Sequence, residues 1–103
     1  MELMTKELAR AIPKLGSTEE VENPKIVAHY FNPFGNGDWY VLEGEEQTNG
    51  DWLFYGYVKS PLRPEFDEYG YFTLNELKSV RLYGGCGIER DLYWTKQTVE
   101  EIS

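Results

Sequence analysis

Two Asn-Gly pairs, Asn36-Gly37 and Asn49-Gly50, separate three strand-like runs, and this punctuation constrains the fold more than any other feature of the chain. The runs are roughly Lys25–Asn32, Trp39–Glu45 and Asp51–Lys59, each rich in β-branched or aromatic residues. Asn-Gly between such runs is a strong hairpin signal, because both central residues of a type I′ turn need positive φ. An antiparallel meander joined by type I′ turns is the expectation. In the third run Trp52, Phe54, Gly56 and Val58 alternate with Leu53, Tyr55, Tyr57 and Lys59, so both faces carry bulky groups. One face should therefore meet a helix while the other keeps partly exposed tyrosines.

Helical signals flank the meander. Thr5 is an N-cap candidate, and Leu8, Ile12 and Leu15 follow at helical spacing, with Lys6, Arg10 and Lys14 on another face. Pro13 should end or distort this helix, which we place near Lys6–Ile12. The next segment, Gly16–Pro24, is polar, acidic and framed by Gly and Pro, and reads as a mobile surface loop. Further on, Tyr69–Leu77 makes a sharp strand-to-helix transition. Thr73 and Glu76 have capping-box spacing and Phe72 can staple onto Leu77, which starts a helix near Leu74–Ser79. Ile88–Trp94 reads as extended or turn structure, and Thr98–Glu101 as a final helical turn.

A chain of 103 residues is one domain's worth. The expected architecture is α+β: a single domain over residues 1–103, with an antiparallel sheet of four to six strands and two or three short helices packed largely on one face. A lone cysteine, Cys86, excludes an intramolecular disulfide and a Cys-rich zinc site. The first residues are charged and lack an apolar core, and no stretch approaches membrane-spanning length, so the expected location is the cytoplasm, with no membrane partner. Eighteen acids against ten bases give a net charge of -8, which disfavours general binding to polyanions. That balance suits a basic protein partner, or imitation of nucleic-acid charge.

No motif carries a recognised chemistry. Gly84-Gly85-Cys86-Gly87 lacks the following helix and Lys or Ser/Thr of a phosphate loop, and reads as a tight connection. Asp67, Glu76 and Lys78 have the order of a divalent-metal nuclease, but Glu76-Leu77-Lys78 should be helical and Glu76 serves the cap. Glu89 and Asp91 share a face if extended, a candidate metal or general-acid pair; we favour a structural role in which Arg90 bridges carboxylates such as Glu43 or Glu68. His29, the single histidine, reads as a hydrogen-bonded strand residue. The Lys6, Arg10 and Lys14 stripe reads as a solvated helix face.

The blocks Trp39–Gly44, Tyr55–Val58, Glu68–Leu77 and Ile88–Trp94, with the opening Met4–Leu8, resemble an uncharacterised bacterial domain-of-unknown-function family of short proteins borne on plasmids, integrative elements and phages. The resemblance runs from Leu3 to about Trp94. It implies an accessory role in transfer, maintenance or evasion of host defence. Relatives are sometimes called single-stranded DNA endonucleases or lipoproteins, and neither label attaches to residues here.

The favoured reading is a non-enzymatic interaction protein that requires no cofactor. It would meet a protein partner through Trp39, Glu43, Glu45, Glu46, Tyr55, Tyr57, Asp67 and Glu68, as aromatic anchors ringed by charge. The alternative is a Mg²⁺-dependent single-strand nuclease with Glu43, Glu68, Glu89 and Asp91 as ligands and Arg90 or Lys78 on the phosphate. A third is a noncatalytic single-strand binder that stacks bases on the tyrosines.

Overall fold

The computed structural model describes residues 2–60, 67–81, 87–95 and 97–102. Its strands are β1 (Ala28–Phe31), β2 (Asp38–Glu46), β3 (Trp52–Lys59), β4 (Glu68–Thr73) and β5 (Glu89–Arg90), and its helices are α1 (Lys6–Ala11), α2 (Leu74–Ser79) and α3 (Val99–Ile102). The strands form one antiparallel sheet in the order β4-β3-β2-β1-β5. The first three are the expected meander, β4 extends it beside β3, and β5 returns to pair with β1 through Tyr30↔Arg90 and Phe31↔Glu89. The α+β class and the antiparallel sheet stand as read from the sequence.

The turns differ from expectation. No residue other than glycine has positive φ among those described, so neither Asn36 nor Asn49 adopts the type I′ conformation. In the β2–β3 hairpin the Gly50 amide donates to the Gln47 carbonyl at 3.0 Å and the Gln47 amide to the Asp51 carbonyl at 2.7 Å, with Gly50 alone left-handed at φ 87°. That is the longer hairpin loop with its glycine at the left-handed position. The Asn49 carboxamide accepts from the Asp51 amide at 3.0 Å, closing the turn locally instead of entering αL itself.

Alternation gives the sheet two unlike faces. On the first, Ala28, Tyr30, Val41, Phe54 and Phe72 join Leu3, Ile12, Leu74, Leu77 and Ile88 in the main core, with Trp39, Trp52 and Val58 against it. The Tyr30 ring is fully buried, and its hydroxyl donates to the Leu3 carbonyl, which pins the N-terminal segment over this face. On the second face Tyr40 and Leu42 pack with Ile26 and Val99, flanked by Tyr55, Tyr57, Trp94 and Ile102. Thus α1 and α2 cover one side as anticipated, whereas α3 crosses to the other. Lys59 fastens α3 there, its ammonium donating to the Ile102 carbonyl at 2.7 Å.

Local rules explain both longer helices. Thr5 caps α1 by accepting from the Leu8 amide at 3.1 Å, and Thr73 caps α2 by accepting from the Glu76 amide at 3.1 Å. α1 ends at Ala11, with Ile12 extended, because Pro13 disfavours helical dihedrals in the residue before it. Lys14 therefore lies beyond the helix, and the expected Lys6, Arg10 and Lys14 stripe is broken. The Gly84–Cys86 part of the glycine-rich connection lies outside the described residues.

Candidate functional site

The site begins with an irregularity in β2. Val41 pairs with Gly56 and Glu43 with Tyr55, so Leu42 is an extra residue. In such a bulge two residues oppose one and the alternation slips. Leu42 and Glu43 consequently both belong to the second face, Leu42 in its apolar cluster and Glu43 in the cleft beside Tyr55. The bulge also depends on Gly56, since a Cβ there would lie 1.8 Å from the Tyr40 carbonyl oxygen. Past Val41 the edge of β2 no longer has β1 beside it. The Pro13 carbonyl takes that place, accepting from the Gly44 amide at 2.9 Å.

Glu43 then organises the chain that follows Pro13. It is 3 % exposed, and one carboxylate oxygen accepts from the Gly16 amide at 2.7 Å while the other accepts from the Thr18 amide at 2.7 Å and from the Thr18 hydroxyl. Burial raises the carboxyl's pKa, but the hydrogen bonds from the Thr18 hydroxyl and the Gly16 and Thr18 amides outweigh it and hold the group below its ordinary value. Glu43 is an anion at neutral pH. Among the described residues the ion pairs are those of His29, so no described base neutralises Glu43. The segment read as a mobile surface loop is instead held at its start by this carboxylate. Its far end is fixed as well, the Pro24 carbonyl accepting from the Val99 amide at 3.3 Å.

Between the tethered loop and the sheet lies a cleft of about 310 Å³, lined by Gly16, Thr18, Glu19, Val21, Glu22 and Pro24 on one side and Leu42, Glu43, Tyr55, Tyr69 and Tyr71 on the other. Tyr55 stacks on Tyr69 with centroids 6.2 Å apart and meets Tyr71 at 5.0 Å, and Tyr57 meets Tyr69 edge-on at 5.2 Å. Tyr69 is 46 % and Tyr71 68 % exposed. Burial, then the neighbouring tyrosines and carboxylates, raise the Tyr55 hydroxyl's pKa; burial, Asp67 and Tyr69 do the same for Tyr57. These hydroxyls stay neutral donors.

A second polar node lies further along the same face. His29 Nε2 meets Asp38 Oδ1 at 2.7 Å and Nδ1 meets Asp91 Oδ2 at 3.1 Å, with the ring stacked on Tyr40 at 4.6 Å. Burial disfavours its charge, but the two carboxylates prevail and raise the pKa, because both ring nitrogens donate only in the imidazolium. Tyr40, shielded by burial and by Asp38, Asp67 and Asp91, is pushed up to about 12. His29 is thus the hydrogen-bonded strand histidine read from the sequence, and Asp91 serves it.

The structure joins some of the expected site residues and scatters others. Glu43, Tyr55 and Tyr57 lie together. Trp39 packs against the main core on the opposite face, Glu45 and Glu46 are exposed at the far end of β2, and Glu68 is exposed on the outer strand β4. Asp67 lies near Tyr57 and Tyr40, its Oδ1 buried without a hydrogen-bond partner among the described residues. Glu68 on β4 and Glu89 and Asp91 at β5 occupy opposite edges of the sheet. Among the described residues no three His, Cys, Asp or Glu side chains are placed to share a metal ion. Arg90 does not bridge Glu43: its Nε donates to the Glu2 carbonyl at 3.3 Å, and both Glu43 oxygens are taken by the loop. Tyr69 and Tyr71, with Glu19 and Glu22, complete the cleft although sequence reasoning left them out. The tyrosines could have been found, since alternation with Phe72 puts them on the face of Tyr55 once β4 pairs with β3.

Among the described residues no helix is long and apolar enough to cross a membrane. No curated protein and no solved structure matches this chain. A family model does, over residues 3–102, in keeping with the ordered blocks that carried the resemblance, and the chain belongs to the family described as protein of unknown function DUF2958.

Proposed function

We propose that this is a non-enzymatic interaction protein, acting in the cytoplasm as an accessory of a mobile genetic element, and that it engages a basic protein partner through its second sheet face. The observation that carries this reading is the bank of Tyr55, Tyr57, Tyr69 and Tyr71 on adjacent strands, beside the acidic loop that bears Glu19 and Glu22. Tyrosine supplies large, amphipathic contact area at small entropic cost, which suits interface anchors. The net charge of -8 steers a basic partner and repels polyanions, and it supports a role as a mimic of nucleic-acid charge toward a DNA- or RNA-binding protein.

The test compares immobilised wild-type protein with a Tyr69→Ser/Tyr71→Ser variant, whose altered side chains are substantially exposed. The expected result is a protein retained by the wild type and lost by the variant. In parallel, a labelled single-stranded oligonucleotide is followed by polarisation and on a denaturing gel, with and without Mg²⁺. Metal-dependent cleavage would replace this reading with the nuclease, and tight binding without cleavage would replace it with the single-strand binder.

A further inference from the structure

We infer that the cleft between the Gly16–Pro24 segment and the tyrosine bank is a receptor for a single arginine side chain presented by the basic partner. The inference rests on the interaction reading and goes further by naming the group recognised. Its first support is Glu43. A carboxylate 3 % exposed, held by the Gly16 and Thr18 amides and the Thr18 hydroxyl and with no described base paired to it, leaves a fixed negative charge at the cleft wall. Its direct hydrogen-bonding capacity goes largely to the loop, so it acts on a ligand chiefly through its field, which low-dielectric surroundings strengthen.

The second support is the aromatic wall. Tyr55 lies with its ring centroid 6.2 Å from that of Tyr69, nearly parallel, and 5.0 Å from that of Tyr71, tilted by 57°, so the wall offers aromatic rings at differing tilts. The negative face of an aromatic ring attracts a cation lying over it. The rim carries Glu19 and Glu22, both exposed, where they can pair with a guanidinium in a bidentate manner. Planarity, weak hydration and a fork of donors favour arginine over lysine: a guanidinium can stack on a tyrosine and bind a rim carboxylate together, whereas an ammonium must shed tightly held water. An anionic or purely apolar ligand would have to overcome the charges of Glu19, Glu22 and Glu43.

The probe is a capped peptide of arginines separated by glycines, set against lysine and citrulline counterparts and titrated into nitrogen-15-labelled protein. The expected result is saturable shifts concentrated at the amides of Gly16, Thr18, Tyr55 and Tyr71, affinity for the lysine peptide weaker by about threefold or more, and no response to citrulline. Tyr71→Ala and, separately, a Glu19→Gln/Glu22→Gln pair should each weaken the arginine peptide by about threefold to tenfold. Equal affinities for arginine and lysine, shifts spread over the acidic surface, or no saturable binding would overturn the assignment. If a tyrosine-dependent partner is captured while the cleft ignores the peptide, the arginine assignment fails and the interaction reading stands. Loss of both would remove both.

Discussion

Two glycines on neighbouring strands show how much a single position can matter. Gly56 and Gly70 face each other across β3 and β4, yet a methyl group at Gly56 would collide with the Tyr40 carbonyl at 1.8 Å, while one at Gly70 meets nothing within 4 Å. Gly56→Ala should therefore cost about 3 kcal/mol or more, or prevent folding, whereas Gly70→Ala should be neutral or stabilising by about 0.5 kcal/mol; urea denaturation of the two variants checks both. His29 gives a pH signature. Its pKa is raised above the ordinary value of 6.5, so its contribution is complete below about 6.5 and is lost as pH rises through the folded value. The melting temperature should accordingly fall as pH rises from about 6 to about 9, and His29→Gln should flatten that fall. The histidine was legible in the sequence as a strand residue. Its partners were not, because Asp38 and Asp91 reach it across two strand pairings, and only the folded register brings them there.

At the scale of the element, what the sequence makes legible is what local chemistry decides. The caps at Thr5 and Thr73 and the alternation of β3 depend on residues a few positions apart, and they stand as expected. The bulge at Leu42 was hidden, because Tyr40, Val41, Leu42 and Glu43 are all large enough to satisfy either phase of the strand. The tether on the Gly16–Pro24 segment was hidden for a related reason: its anchor, Glu43, lies 25 and 27 positions away from Thr18 and Gly16. That anchor is testable. Glu43→Gln keeps the shape but loses the charge, and weakening charge-assisted hydrogen bonds should cost about 1.5–3 kcal/mol and speed hydrogen exchange at the Gly16 and Thr18 amides. Because the Glu43 pKa is lowered, its stabilisation is present above 4.5 and is lost as pH falls through the folded value. The same amides should lose protection on acidification before the strands do.

For the whole molecule, the sheet divides the labour between its faces. One side carries α1, α2 and the main core, and the other carries the C-terminal segment, the histidine node and the tyrosine cleft. Surface charge belongs to this scale too. With -8 overall, association with a basic partner should slow as ionic strength rises from about 0.05 M to about 0.5 M, chiefly through the on-rate, as stopped-flow fluorescence of the tyrosines and tryptophans would record. The irregularity in β2 also sets a reading frame for the strand. Upstream of Leu42 and downstream of it, odd and even positions swap meaning, so ironing out the bulge without shortening the strand would pair Leu42 with Tyr55 and turn Glu43 toward the apolar side occupied by Val41 and Phe54. Length variation among relatives is therefore expected in the hairpin tips, where an added residue alters only a turn, whereas at Val41–Glu43 the length of the strand and the presence of the bulge must change together, or the rest of the strand would face the other side of the protein.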